Sequence, residues 1–245
     1  TYVGGSVVKY GVLDEVKAAL GRRVIFEFSG IEPNPRYETL MQAVELVKRE
    51  KIDFLLAVGG GSVIDGTKFI AAAACWVGSD PWDILLDGGA RVQSAIPFGT
   101  VLTLPATGSE MNCGAVITRN VTRVPLPAAN GSSAGVSLII KSQDDKLVFS
   151  TPWVYPRFSI LDPSKSFTLP PEQSANGIVD AFVHVMEQYL TYPTDAKVQD
   201  RFAEGLLLTL IEEGPKVLAE PDNYAARANV MWTATMALNG LIGAG

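Results

Sequence analysis

Histidine is nearly absent. His184 stands alone in 245 residues, so a mechanism or metal centre that needs several imidazoles is not completed by this chain's own side chains. Cysteine is scarce as well. Cys75 and Cys113 make no disulfide framework and have no metal-ligand spacing; each reads as a small buried apolar residue in a reducing, cytoplasmic setting. The 20 Lys and Arg against 26 Asp and Glu give a net charge of −6, and no basic run exists to neutralise a phosphate backbone, which excludes nucleic acid as a partner. No stretch approaches about 18 consecutive apolar residues, and no charged-then-apolar leader opens the chain, so no membrane partner is expected. Disorder is excluded too, because 47% of the residues are hydrophobic, enough to bury one or two cores.

What is present alternates. Residues 1–6 read as the end of a strand and its turn; 12–20 (VLDEVKAAL) have helical apolar spacing; 23–29 (RVIFEFS) alternate as a strand does; 37–50 read as an amphipathic helix. A buried strand over 53–58 (DFLLAV) runs straight into Gly59-Gly60-Gly61-Ser62, and a helix follows over 63–75. Strands and helices in turn, joined by short connections, imply an α/β domain with a parallel sheet covered on both faces. A further strand over 95–104 ends in a stretch of small polar residues, and 114–119 pairs with 146–150 as short strands. Between that pair, 120–140 is rich in Pro, Ala, Gly and Ser and reads as an inserted loop. After a short strand over 158–161 the texture becomes all-helical, which sets a boundary: an α/β domain over 1–169 and an all-α domain over 170–245.

Three motifs carry chemistry. In VGGGSVIDGTK (58–68) the glycines let backbone approach a ligand, and the free N–H groups opening the next helix suit a pyrophosphate. The motif lacks the spacing of the dinucleotide fingerprint and of the P-loop, and a plain tight turn is the bland alternative. In LTLPATGSE (102–110) the hydroxyls follow a buried strand and suit ribose and phosphate, or simply cap a helix. In NGIVDAFVHVMEQY (176–189) Asp180 and His184 stand one turn apart on a helix, able to share a divalent cation or merely to hydrogen-bond.

Together, in this order and spacing, GGGSVIDGTKFIAAAA, LTLPATGSEMN and GIVDAFVHVMEQY, with IEPNPRYETL and the stretch from Asp200 to Gly245, resemble the iron-containing alcohol dehydrogenase family. The similarity is to its bacterial NADP-dependent butanol dehydrogenase and aldehyde reductase branch, over nearly the whole chain. It implies an N-terminal dinucleotide-binding domain, a C-terminal all-helical domain and a divalent metal, Fe²⁺ or Zn²⁺, in the cleft between them. By position, Gly60, Gly61 and Ser62 would hold the pyrophosphate; Asn34, Asp65, Thr103, Thr107, Ser109 and Lys146 would line the cofactor and nicotinamide side. Asp180 and His184 would be metal ligands, catalytic through a Lewis-acid metal that polarises the substrate oxygen during hydride transfer. Where NAD-preferring members carry an acidic residue for the ribose, this chain has Gly4, Gly5 and Ser6 with Lys9 near, a set that accepts a 2′-phosphate and favours NADP(H).

The expected function is metal-assisted interconversion of small alcohols and aldehydes, chiefly NADPH-dependent aldehyde reduction, by a cytoplasmic homodimer. The family completes its metal site with two further histidines and begins one strand earlier, so the sequence is expected to be an internal fragment, truncated at both ends and inactive by itself. The 120–140 insertion has no counterpart in the family pattern and bears on the placement of Lys146. Two other readings stand: a glycerol dehydrogenase or dehydroquinate synthase-like relative, and a non-catalytic nucleotide-binding module.

Overall fold

The computed structural model describes residues 1–2, 5–123, 141–191 and 195–243, with the side chains of 121–123 and 141–143 left out. Gly4, given a place in the cofactor site by the family resemblance, and most of the expected insertion (124–140) therefore lie outside the described residues.

Two short helices open the chain, α1 (Gly5–Lys9) and α2 (Val12–Leu20), and α3 (Tyr37–Glu50) follows a long connection. The apolar run ending in three glycines becomes β1 (Leu55–Gly60), and α4 (Gly61–Ala74) starts at the third of them. After α5 (Asp83–Leu86) come β2 (Phe98–Leu104), the hairpin β3 (Gly114–Arg123) and β4 (Lys141–Ser150), and β5 (Phe158–Ile160). Helices α6 (Pro171–Tyr189), α7 (Lys197–Ala219) and α8 (Tyr224–Ala237) complete the described chain. The parallel sheet runs β1-β2-β5, and Tyr2 adds a parallel bridge to Val58 on the free edge of β1.

Both faces of this sheet are covered, as expected of parallel strands. Ala57 and Leu102 face α3 and α4, where Leu40, Val44, Ile64, Phe69 and Ile70 form the main core. Val58 and Val101 face the other way, onto Val7, Val12 and Leu13 of α1 and α2. The helices α6 to α8 make a separate core from Ala181, Val185, Ala203, Leu210, Val230 and Ala234. Among the described residues no helix is long and apolar enough to cross a membrane.

Two local expectations are corrected. Residues 23–29, expected as a strand, form none: Phe28 O accepts from Tyr2 N at 3.1 Å, while Val24 is 85% exposed. Alternation marks two faces of a segment; without a neighbour to share most of its N–H and C=O groups that segment is not a sheet strand. The loop expected from Asn120 begins later, because β3 runs on to Arg123 and pairs Asn120 with Asp144 and Arg123 with Lys141. Ladder pairing overrides the low strand preference of Asn120.

Candidate functional site

The first turn of α4 follows β1 with no intervening loop, so the amides opening that helix stand at the carboxyl end of the strand, where ligands settle in open α/β sheets. Gly60 and Ser62 remain partly open to solvent, as do Thr103 at the end of β2 and Thr107 just beyond it, while Gly61 is buried. A Cβ at Gly61 would collide with the Thr107 side chain. The glycine here lets the Thr107 side chain pack directly on main chain at the start of α4, so that Thr107 walls a crevice beside the first amides of the helix.

Behind that crevice lies a buried polar frame. The Ser109 hydroxyl donates to Asp65 Oδ1 (2.5 Å) and the Val116 N–H donates to Asp65 Oδ2 (2.9 Å). Burial pushes the Asp65 carboxyl up, opposed by Lys68, Ser109 and the Val116 amide. Both oxygens of Asp65 thus already accept from the protein, and Asp65 and Ser109 brace the crevice wall as a pair. Thr107 Oγ1 accepts from Ser109 N (3.3 Å), but the single 3-10 turn here, Ser109–Met111, has Gly108 at its cap position and no side-chain cap bond, so neither Thr107 nor Ser109 caps a helix.

Asn34 and Lys146, 112 residues apart, meet directly: Lys146 Nζ donates to Asn34 Oδ1 at 2.8 Å. Both are exposed. The register of the hairpin, with Lys146 opposite Thr118 and Arg36 bridged to Thr118, brings them together. Gly5 and Ser6 open α1 and are exposed, and Lys9 ends it with its ammonium 5.1 Å from the Tyr10 ring.

Asp180 and His184 share one face of α6. His184 Nε2 lies 3.8 Å from Asp180 Oδ1, too far for a hydrogen bond and close enough for both atoms to contact one cation at bond lengths of about 2.0–2.2 Å. His184 Nδ1 is buried with no partner. This donor pair fits half of a divalent-metal site; no cluster of three or more such side chains occurs among the described residues. Helix α6 approaches the α/β layer at Gly177, where a Cβ would lie 2.5 Å from Pro105 O.

Sequence reasoning missed three members of the site. Lys68, Glu110 and Asn112 are written inside the motifs, yet their partners lie up to 126 residues away in sequence. A cavity of about 930 Å³ beside Thr1, Tyr2, Phe54 and Phe158 borders the far end of β1 and contains none of these groups.

The family model described as iron-containing alcohol dehydrogenase matches residues 2–124, and that of the family's C-terminal part matches 174–244. The chain belongs to the iron-containing alcohol dehydrogenase family. Within it, the chain is 61% identical to the NADPH-dependent aldehyde reductase YqhD of Escherichia coli, over all of this chain and 58% of that protein. It is 43% identical to a probable NADH-dependent butanol dehydrogenase of Bacillus subtilis, again over 58% of the relative. Among solved structures, E. coli YqhD superposes with a TM-score of 0.88 at 60% identity, covering 100% of this chain and 57% of that one. The NADH-dependent butanol dehydrogenase A of Thermotoga maritima gives 0.83 at 38% identity, covering 98% and 55%. The chain therefore spans somewhat over half the length of these family members.

Proposed function

We propose that this iron-containing alcohol dehydrogenase chain carries the nucleotide site (1–169) and the first metal-bearing helices (170–245) of an NADPH-dependent aldehyde reductase. The observation that carries the reading is the crevice at the start of α4, where the amides after Gly60 open beside Thr103 and Thr107. A diphosphate there meets helix N–H donors and the positive end of the helix dipole. Asn34 and Lys146 would contact the cofactor from the hairpin side, and Asp65 and Ser109 hold the wall in shape.

Bound nicotinamide supplies the hydride, and a divalent cation on Asp180 and His184 supplies polarisation of the substrate oxygen. Iron is the choice the family description supports, with zinc compatible with the same donors. The helix α6 carries both ligands on a rigid element whose approach to the nucleotide layer is fixed at Gly177. The preference for NADPH is supported by the relative with 61% identity and by Gly5, Ser6 and Lys9, none of which repels a 2′-phosphate. A cytoplasmic homodimer acting on small alcohols and aldehydes completes the proposal.

The test is nucleotide oxidation by the full-length protein with butanal. Higher kcat/KM with NADPH than with NADH is the expected result. A preference for NADH overturns the cofactor choice, and no aldehyde-dependent oxidation with either nucleotide overturns the function.

A further inference from the structure

Lys68 is fully buried in the middle of α4. Buried lysines are rare and need partners. Its ammonium has three N–H bonds and finds three acceptors: Ser109 Oγ at 2.8 Å, Asn112 Oδ1 at 2.8 Å and Gly114 O at 2.7 Å. Ser109 and Asn112 belong to the segment that links β2 to β3, and Gly114 opens β3. The Ser109 hydroxyl, while accepting from Lys68, gives its own proton to Asp65. The Asn112 amide nitrogen donates onward to Gly108 O at 3.0 Å and to Leu238 O, just past α8, at 3.2 Å. One cation thus ties the glycine-led helix to the 107–114 segment and, one bond further, to the helical layer.

We propose that Lys68 is a positioning residue for the nucleotide: its three-donor ammonium locks Ser109 and Asn112, and through them Thr107, against the first turns of α4, so that the crevice beside Gly61 and Ser62 is shaped before the diphosphate arrives. The proposal rests on the NADP(H) reading above. A preformed crevice costs less ordering on binding, and a side chain that acts on the ligand's neighbours rather than on the ligand is easily passed over.

The lock depends on charge. An ammonium serves three acceptors, whereas a neutral amine has two N–H bonds and leaves one acceptor orphaned. Burial holds Lys68 down to about 8, opposed by Asp65 on its own helix, Glu110 on the 3-10 turn and Cys113 at the entry to β3. Behind these stand Tyr155, bonded to Cys113, and Lys146, which acts on Asp65. Helix α8 contributes the uncharged Thr235 hydroxyl to Glu110. The third donor is therefore lost within an accessible pH range.

The experiment measures NADPH dissociation constants by fluorescence on the full-length protein between pH 7 and 10, for wild type, Lys68→Arg and Lys68→Met, with thermal melts to confirm folding. Wild-type affinity is expected to fall by several-fold as pH passes about 8. Lys68→Arg, charged throughout, loses that pH dependence and binds somewhat more weakly. Lys68→Met binds at least about ten-fold more weakly at every pH. A lysine that merely supported the fold would lower the melting temperature and leave the pH profile of nucleotide binding unmoved. Equal profiles for wild type and Lys68→Arg, or wild-type affinity in a folded Lys68→Met, overturn the proposal while leaving the cofactor reading intact. Failure of the wild type to bind any nucleotide overturns both, so the two failures are distinguishable even where Lys68→Met does not fold.

Discussion

Thr235 on α8 donates its hydroxyl hydrogen to Glu110 Oε1 at 2.5 Å, joining the helical layer to the segment that follows β2. Both residues are buried, and the other carboxyl oxygen, Oε2, has no partner. Burial pushes the Glu110 carboxyl up, against the opposing effect of Thr235. This junction is thus made by a carboxyl whose folded form favours the proton.

A stability consequence follows with a definite sign. A carboxyl with a raised folded pKa contributes fully below its unfolded value, near 4.3, and loses that contribution as pH rises through the folded one. Glu110→Gln, which mimics the protonated form, is expected to gain on wild type from pH 4 to pH 7. Chemical denaturation at both pH values checks this; a constant difference refutes it. Thr235→Val, which strips the donor, is expected to cost about 1–3 kcal/mol.

At the crevice, Gly61→Ala forces a methyl into the Thr107 side chain. The expected cost is about 1–3 kcal/mol, with a roughly ten-fold loss in NADPH affinity, equivalent to about 1.4 kcal/mol. Thr107→Ala in the same protein removes Oγ1 and Cγ2, the two nearest atoms, and is expected to return part of the stability. Strict additivity of the two substitutions in urea melts would contradict the close approach.

Asn34 holds a φ of 57°, a left-handed conformation that asparagine tolerates and alanine does not. Asn34→Gly is expected to be more stable than Asn34→Ala by about 1 kcal/mol, the reverse of the usual order, since both lose the bond to Lys146 equally. Lys146→Ala leaves that backbone alone and is expected to weaken NADPH binding more at low salt than at high.

Asp180→Ala and His184→Ala are each expected to lower iron content, read by elemental analysis of the full-length protein. The loss in metal affinity should exceed the roughly 10–100-fold that removal of an outer-shell partner costs. Asp180→Ala protein that keeps its full metal complement removes that residue from the site.

How much of this was legible beforehand depended on the range of the forces involved. The β1–α4 turn was readable because a buried strand, three glycines and a helical run are contiguous, and the pairing of β3 with β4 because both segments alternate. Residues 23–29 misled because alternation reports a segment's own two faces, and a strand also needs a neighbour on its edge. Lys68 was unreadable for the opposite reason. A lysine among Gly66, Thr67, Phe69 and Ile70 looks like a charge that snorkels to the surface, and the three acceptors that keep it inside stand 41, 44 and 46 residues further along the chain. Asp180 and His184 were visible as one turn of helix; the orphaned Nδ1 of His184 was not.

The missing side chain at residue 177 also turns α6 into a lever. Main chain rests against the Pro105 carbonyl there, so the helix has a fulcrum with nothing compressible beneath it. His184 sits seven residues on, roughly 10 Å along the axis, and a tilt of about 5° at the fulcrum swings it by about 1 Å. A displacement of that size separates productive from idle alignment of reacting groups. A methyl group at Gly177 would therefore have to push helix and carbonyl apart, costing stability and carrying His184 out of place in the same movement.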